Sequence, residues 1–174
     1  PEECLVFLLA SRFCDSDRLL DLAWELFGHT PPGAARVQAI CDFVNQRIAF
    51  DYMDASVTRS ASEAYREGRG VCRDYAHLAI AFCRAMNIPA RYCTCYLGDV
   101  GTPPPWPPGD FAASFEAFLD GGWQMFDPRN NVPRIGRVLI ARGRDAADVA
   151  IATTFGPNTL TGFKVWTDEV AEAA

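Results

Sequence analysis

Residues 68 to 78 read Gly-Arg-Gly-Val-Cys-Arg-Asp-Tyr-Ala-His-Leu, and this stretch gives the strongest indication of the fold. Gly68 and Gly70 free the backbone immediately before a run of residues with helical periodicity. The periodic apolar residues fall on one helical face: Val71, Tyr75, Leu78, Ala79, Phe82 and Met86. This spacing predicts a helix that begins at or next to Cys72 and ends before Pro89.

A cysteine at the start of a helix has two possible meanings. Unpaired backbone N–H groups and the positive end of the helix dipole favour its thiolate, and Arg73 would add a neighbouring positive charge. Cys72 is therefore a candidate nucleophile. The alternative is that Cys72 is a small buried residue that closes a glycine turn, because unpaired cysteines are among the most buried residues in proteins.

The composition is that of an ordinary globular chain. It has 174 residues, of which 49% are hydrophobic and 22% charged, with a net charge of −6. Basic residues form no stripe, so nucleic acid is not an expected partner. No apolar run approaches the roughly 20 residues of a membrane helix, and the first residues do not begin a signal peptide. We therefore predict a single domain over residues 1–174, located in the cytoplasm, with no nucleic-acid or membrane partner.

The cysteines indicate reduced thiols rather than disulfides or a metal site. There are seven of them, spread through apolar segments: Cys4, Cys14, Cys41, Cys72, Cys83, Cys93 and Cys95. An odd number with this distribution is typical of a cytosolic core. The two histidines, His29 and His77, complete no zinc-binding spacing with them. We expect no metal and no cofactor.

Helical patterns occupy the first half of the chain and strand patterns the second. Helices are predicted from Ser16, over residues 37–48, and from Ser60, where Ser60 and Glu63 have the spacing of a capping box. Strands are predicted over residues 90–97, 111–119, 123–126, 135–141 and 161–166, and residues 4–10 read as a strand or the tail of a preceding element. Residues 98–109 contain five prolines and predict a surface loop. This order predicts an α+β fold, with the Cys72 helix packed on a mostly antiparallel sheet.

Two stretches of the chain resemble the bacterial transglutaminase-like superfamily. The first is residues 68–97, which include Cys72 and end in Asn-Ile-Pro-Ala-Arg-Tyr-Cys-Thr-Cys-Tyr-Leu. The second begins with Asp-Phe at 110–111, continues through Phe-Glu-Ala and Gly-Gly-Trp, and ends in Phe-Asp-Pro-Arg-Asn at 126–130. The resemblance covers residues 35–165, and its three motifs occur in the family's order. It implies a papain-like fold and a Cys-His-Asp triad for acyl transfer or amide hydrolysis.

The resemblance supplies only two of the three triad residues. Cys72 matches the nucleophile, and Asp127 matches the residue that orients the imidazole. The family's histidine begins a His-Ala-Trp sequence, but the residues at these positions here are Ala112, Ala113 and Ser114. The histidine and tryptophan positions have both changed, so the triad is incomplete.

Other residues could replace or support the missing base. Glu116 is a possible alternative base, because strand periodicity puts it on the face of Ala112 and Ser114, although a glutamate on a strand is more often solvated. His77 lies five residues after Cys72, about 140° round the helix, so we expect a structural role for it. His29 falls in a turn. The candidate supporting residues are Arg73, Asp74, Ser114, Arg129 and Asn130.

Together these residues predict a cysteine-dependent amide hydrolase or acyltransferase that forms a thioester at Cys72. Its substrate would be a peptide, a protein, or a small amide or ester. Proton transfer would fall to water held by Asp127, to Glu116 or to the substrate's own amine. A missing general base typically costs about 10²–10⁴-fold in rate. The alternatives are a catalytically silent binding module with the same fold, and a selected inactivating change at the histidine position, which the additional change of the tryptophan position makes less attractive.

Overall fold

The computed structural model describes residues 2–106, 109–167 and 170. The first half contains the helices and two short strands: α1 Leu20–Phe27, α2 Ala34–Arg47, β1 Ala49–Phe50, α3 Ala61–Glu67, β2 Arg69–Gly70 and α4 Cys72–Ala85. The second half contains the longer strands: β3 Ala90–Leu97, β4 Phe111–Leu119, β5 Gly122–Phe126 and β6 Arg137–Gly143. Short 3₁₀ helices cover Glu2–Leu8, Ser16–Leu19 and Tyr52–Asp54. Within these described residues, no helix has the length and apolar character needed to cross a membrane.

The four longer strands form one antiparallel sheet in the order β5-β4-β3-β6. A two-residue turn joins β4 to β5, and its residues Asp120 and Gly121 both have positive φ, as a type I′ turn requires. β1 and β2 pair in parallel as a separate short ribbon. Helix α4 packs on β3 and β4. The predicted α+β fold, with the Cys72 helix against a mostly antiparallel sheet, is confirmed.

Helix α4 lies at the centre of the molecule. Helices α1, α2 and α3 contact it on one side, and β3 and β4 on the other. Every residue from Asp74 to Ala85 is consequently buried. The sequence predicted a single apolar stripe, but the helix is enclosed on all sides, so Asp74, His77 and Arg84 must find their polar partners inside the protein.

The segment after β6 anchors the start of the chain. Asp145 Oδ2 accepts a hydrogen bond of 2.8 Å from the backbone N–H of Phe13, 132 residues away in sequence. Buried Arg84 donates to Ser11 Oγ at 3.1 Å and to the carbonyl of Arg144 at 2.6 Å. These bonds tie the N-terminal segment to the end of α4 and to the far edge of the sheet.

Some local predictions are confirmed and others are wrong. The capping box of Ser60 and Glu63 is present at the start of α3. Residues 4–10 begin in a 3₁₀ helix rather than a strand, since short apolar runs do not distinguish the two. Residues 161–166 form no strand beyond an isolated bridge from Val165 to Gly109. Two prolines of the predicted loop, Pro107 and Pro108, lie outside the described residues.

Candidate active site

Helix α4 begins at Cys72 because Asp74 caps its first turn. Asp74 Oδ2 accepts hydrogen bonds from the backbone N–H of Val71 at 2.9 Å and from Arg59 Nη1 at 3.2 Å. Gly70 allows this arrangement, because a Cβ at that position would lie 2.5 Å from Asp74 Oδ2. The glycine and the aspartate therefore fix the backbone that presents Cys72.

Cys72 lines a cavity of about 100 Å³ between the start of α4 and the start of β4. It is partly exposed, whereas the other six cysteines are buried. The alanine at the family's histidine position, Ala112, lines the same cavity. The polar side chains in this lining are Tyr52, Asp99, Asp110, Arg129, Asn130 and Arg134.

The local environment keeps the Cys72 thiol protonated. Burial raises the pKa of Cys72, and the negative charge of Asp110 raises it further. The backbone N–H groups of Ala113 and Arg73, with the charge of Arg129, lower the pKa but do not offset the cost of burial. The sequence predicted that the helix start would favour a thiolate, and this is wrong because desolvation is the larger effect.

The cation beside Cys72 is Arg129 rather than Arg73. The guanidinium of Arg73 donates to the carbonyl of Ser56, and Arg73 does not line this cavity. Arg129 lines the cavity, and its Nη1 donates to Asn130 Oδ1 at 2.9 Å. The expectation that Arg73 would stabilise the thiolate by its charge is therefore corrected, and Arg129 takes that place.

Asp127 is already engaged by other groups. Its Oδ2 is paired with Arg137 Nη2 and accepts a 2.7 Å hydrogen bond from Asn130 Nδ2, while Oδ1 accepts the backbone N–H of Asn130 at 3.0 Å. The Asp127 and Arg137 side chains are 8% and 11% exposed. Asp127 lines a separate depression beside Cys41 and not the cavity of Cys72. Its carboxylate is thus part of a buried ion pair.

The carboxylate of Glu116 is likewise bonded to arginine side chains. It accepts hydrogen bonds from Arg91 Nε at 2.6 Å and from Arg142 Nε and Nη2 at 2.7 and 3.0 Å. Burial raises the pKa of Glu116, but the hydrogen bonds of the two arginines lower it below its ordinary value. Glu116 does not line the Cys72 cavity, so these contacts argue against a role as base.

Ser114 lies on the same side of the sheet as Glu116. Its hydroxyl is 3.4 Å from Cys95 Sγ, and the residue has no exposed surface. The neighbouring residues Ala113 and Phe115 belong to the core that surrounds α4. Because side chains alternate along a strand, Ser114 and Glu116 lie on the face opposite to Ala113 and Phe115. Ala112, the second residue of β4, shares that face and also lines the Cys72 cavity beside the start of α4.

Neither histidine reaches Cys72. His77 is completely buried, its Nε2 accepts a 3.1 Å hydrogen bond from the backbone N–H of Ala146, and its ring stacks on Phe13. Burial lowers the pKa of His77 to about 3, so the imidazole is neutral. His29 is exposed in the turn after α1. No imidazole is therefore available to the thiol.

The cavity includes groups that the sequence did not mark. Tyr52 lies between the predicted helices, in a stretch to which no element was assigned, and Asp110 entered only as the first residue of the second stretch that resembles the family. Arg137 is the first residue of β6, and nothing local indicates that it reaches Asp127. Only the family motif around Ala112 could have directed attention to Asp110, two residues before it.

Comparison with known families identifies the superfamily of the chain. The profile of the transglutaminase-like superfamily matches residues 21–128, more than half of the chain. The chain belongs to the transglutaminase-like superfamily. The resemblance seen in the sequence is confirmed. In this chain Cys72 is the first residue of α4, the helix that packs on the sheet.

Several relatives of this transglutaminase-like chain are known. A crystal structure from Cytophaga hutchinsonii, described as a "putative cysteine protease", is 38% identical with a TM-score of 0.82 and is matched over 97% of this chain and 60% of its own. The periplasmic domain of TgpA from Pseudomonas aeruginosa, solved bound to ethylmercury, is 25% identical with a TM-score of 0.52, over 67% of this chain and 45% of its own. An uncharacterized protein of Mycobacterium leprae is 36% identical over 112 residues, 60% of this chain and 39% of that protein. The chain thus spans at most three fifths of each of these relatives.

Proposed function

We propose that this transglutaminase-like domain carries out cysteine-dependent acyl transfer at Cys72. In this proposal Sγ attacks an amide or ester carbonyl to form a thioester, which water or an amine then cleaves. The observation that carries the proposal is the position of Cys72 at the start of α4, lining a cavity, with the backbone N–H groups of Ala113 and Arg73 beside Sγ. Donors in that position can also stabilise the oxyanion that forms on the attacked carbonyl.

The absence of an imidazole restricts the chemistry. The resting thiol is neutral, so it must lose its proton as it attacks the carbonyl. We therefore expect slow turnover, by about 10²–10⁴-fold relative to a complete triad, and a preference for acyl groups with good leaving groups. The Cytophaga relative, described as a "putative cysteine protease", supports a peptide or protein substrate.

A second candidate is a catalytically silent binding module. It is supported by the Asp127–Arg137 ion pair, which occupies the carboxylate that the family uses to orient its histidine. In this case the cavity would bind a peptide segment without forming a covalent bond to Cys72.

Intact-protein mass spectrometry during incubation with aryl esters and peptide p-nitroanilides separates the two candidates. The proposal expects an acyl adduct that maps to Cys72 and decays with release of acid. Cys72→Ala should lose both adduct and turnover, whereas Cys83→Ala, which removes a buried thiol from the same helix, should retain them. If no substrate of the panel gives Cys72-dependent acylation, the binding module becomes the better conclusion.

A further inference from the structure

We propose that Asp110 replaces the missing imidazole as the proton acceptor for Cys72, and that Tyr52 positions Asp110. This inference rests on the proposed acyl transfer at Cys72. It gives a catalytic role to a carboxylate that the family motif does not use as its base, and a positioning role to a tyrosine from the segment between β1 and α3.

The three side chains share one cavity. Cys72, Asp110 and Tyr52 all line it, together with Ala112, which leaves the place of the family's histidine unfilled. The backbone N–H of Phe111 donates to Asp110 Oδ1 at 2.7 Å. Tyr52 lines the same cavity, and burial and the negative charge of Asp110 both raise the pKa of its hydroxyl. The carboxylate is therefore held in one orientation at the entrance to β4.

The three other carboxylates considered near the site are each paired with arginine. Asp127 pairs with Arg137, and Glu116 pairs with two arginines outside the cavity. Asp99 lines the same cavity as Cys72 but binds Arg134 at 3.1 Å. Within the described ranges, no lysine or arginine forms an ion pair with Asp110. Asp110 is thus the cavity carboxylate whose charge remains available for proton transfer.

The proton balance of the reaction follows from this arrangement. As the bond from Sγ to the carbonyl carbon forms, the thiol proton moves to Asp110 and the carbonyl π electrons move to oxygen. When the C–N or C–O bond breaks, the Asp110 carboxyl returns that proton to the departing amine or alcohol. The acyl group then remains bonded to Cys72 as a thioester. In the second half, water or an amine gives its proton to Asp110, and the departing Cys72 thiolate recovers it. A carboxylate is a weaker base than imidazole, so proton transfer must accompany the attack.

Asp110 affects the thiol in two opposite ways, and this makes its role testable. Its negative charge raises the pKa of Cys72 and so opposes a free thiolate. As a base, it would promote attack by the neutral thiol. The other titratable or charged groups in the cavity are Arg129, Tyr52 and the ion pair of Asp99 and Arg134, and Tyr92 lies close enough to Cys72 for their charges to interact. Removing the charge of Asp110 should therefore change alkylation and acyl transfer in opposite directions.

Two measurements on the full chain carrying Asp110→Asn test this. Alkylation of Cys72 by iodoacetamide reports the thiolate fraction, and its rate at pH 7 should rise several-fold as the pKa of Cys72 falls. Turnover of the best ester or p-nitroanilide should instead fall by about 10²-fold. Asp110→Glu should recover part of the turnover. Tyr52→Phe should lower turnover less than Asp110→Asn does, and it should shift the acidic limb of the pH profile of turnover. Glu116→Gln, a control outside the cavity, should leave the ratio of the two rates unchanged.

The outcomes separate failure of this inference from failure of the proposed function. If Asp110→Asn raises turnover together with alkylation, or leaves turnover unchanged, Asp110 is not the base although Cys72 is still the nucleophile. If the unmodified protein shows no Cys72-dependent turnover, acyl transfer itself is rejected, and the role of Asp110 is rejected with it. Urea unfolding of each variant shows whether a loss of turnover follows from a loss of folded protein, and Asp110→Glu then decides.

Discussion

The Cys72 cavity and the Asp127 cluster contain the two residues that the sequence matched to the family's triad, and they differ in what surrounds them. Cys72 is partly exposed and lines a cavity with Asp110 and Tyr52. Asp127 is buried and bonded to Arg137 and Asn130. The two regions therefore differ in function within this structure: the Cys72 cavity contains Asp110, a carboxylate that forms no ion pair among the described residues, whereas the Asp127 carboxylate is bonded on both oxygens.

The largest effect is expected when the two regions are rejoined. Ala112→His places an imidazole in the cavity, but Arg137 still holds Asp127, so we expect only a small gain from this change alone. Ala112→His with Arg137→Met frees Asp127 and should raise Cys72-dependent ester turnover by about 10²–10⁴-fold. The measurement is kcat/KM, with Arg137→Met alone as the control. If the single change gives the full gain, Arg137 does not restrain Asp127.

The second prediction is that the Asp127 cluster contributes to the free energy of unfolding and not to the reactivity of Cys72. Asp127→Asn leaves the buried guanidinium of Arg137 without its partner, which typically destabilises a protein by about 3–5 kcal/mol. Adding Arg137→Met should recover most of that loss in urea unfolding at pH 7. The rate of Cys72 alkylation in the folded protein should hardly change. A stable Asp127→Asn protein with impaired acylation would instead return Asp127 to the active site.

The smallest expected effect is a loss of folding stability at acidic pH. His77 has a pKa of about 3 in the folded protein, and an unfolded histidine has a pKa of about 6.5. Its contribution to stability is therefore complete above pH 6.5 and is lost progressively as the pH falls from 6.5 towards 3. Between pH 6.5 and pH 5 the loss is on the order of 2 kcal/mol.

The matching variant is His77→Gln, which retains a side-chain acceptor for Ala146 but does not titrate. It should show a flatter dependence of unfolding free energy on pH over this range. That result would sharpen the comparison of the two regions. It would attribute a loss of activity at pH 5 to unfolding of the protein and not to titration of groups in the cavity. An unchanged pH dependence would mean that another group controls acid stability.

The features predicted correctly are those with local signals. The helix start at Cys72 depends on Gly70 and Asp74, and the β4–β5 turn depends on Asp120 and Gly121, all close in sequence. These positions require particular backbone conformations or short-range contacts, so the residue types indicate them directly.

The features that were missed depend on contacts between distant segments. Arg137 reaches Asp127 from β6, although β3 and β4 lie between β6 and β5 in the sheet. The direction of Arg73 and the burial of α4 on every side likewise follow from packing, not from periodicity. Ser114 illustrates the same limit: its site beside Cys95 is filled, so the family's tryptophan would overpack it.

The hydrogen bond from Phe13 to Asp145 also has a consequence for biosynthesis. It joins residues 132 positions apart, so the backbone N–H of Phe13 lacks its Asp145 partner until the end of β6 has been made. At about 5–20 residues per second, ribosomal synthesis of the intervening chain takes on the order of ten seconds. During that interval α4 and the strands β3, β4 and β5 are already made, so the N-terminal segment is the part of the fold that waits for the last edge of the sheet.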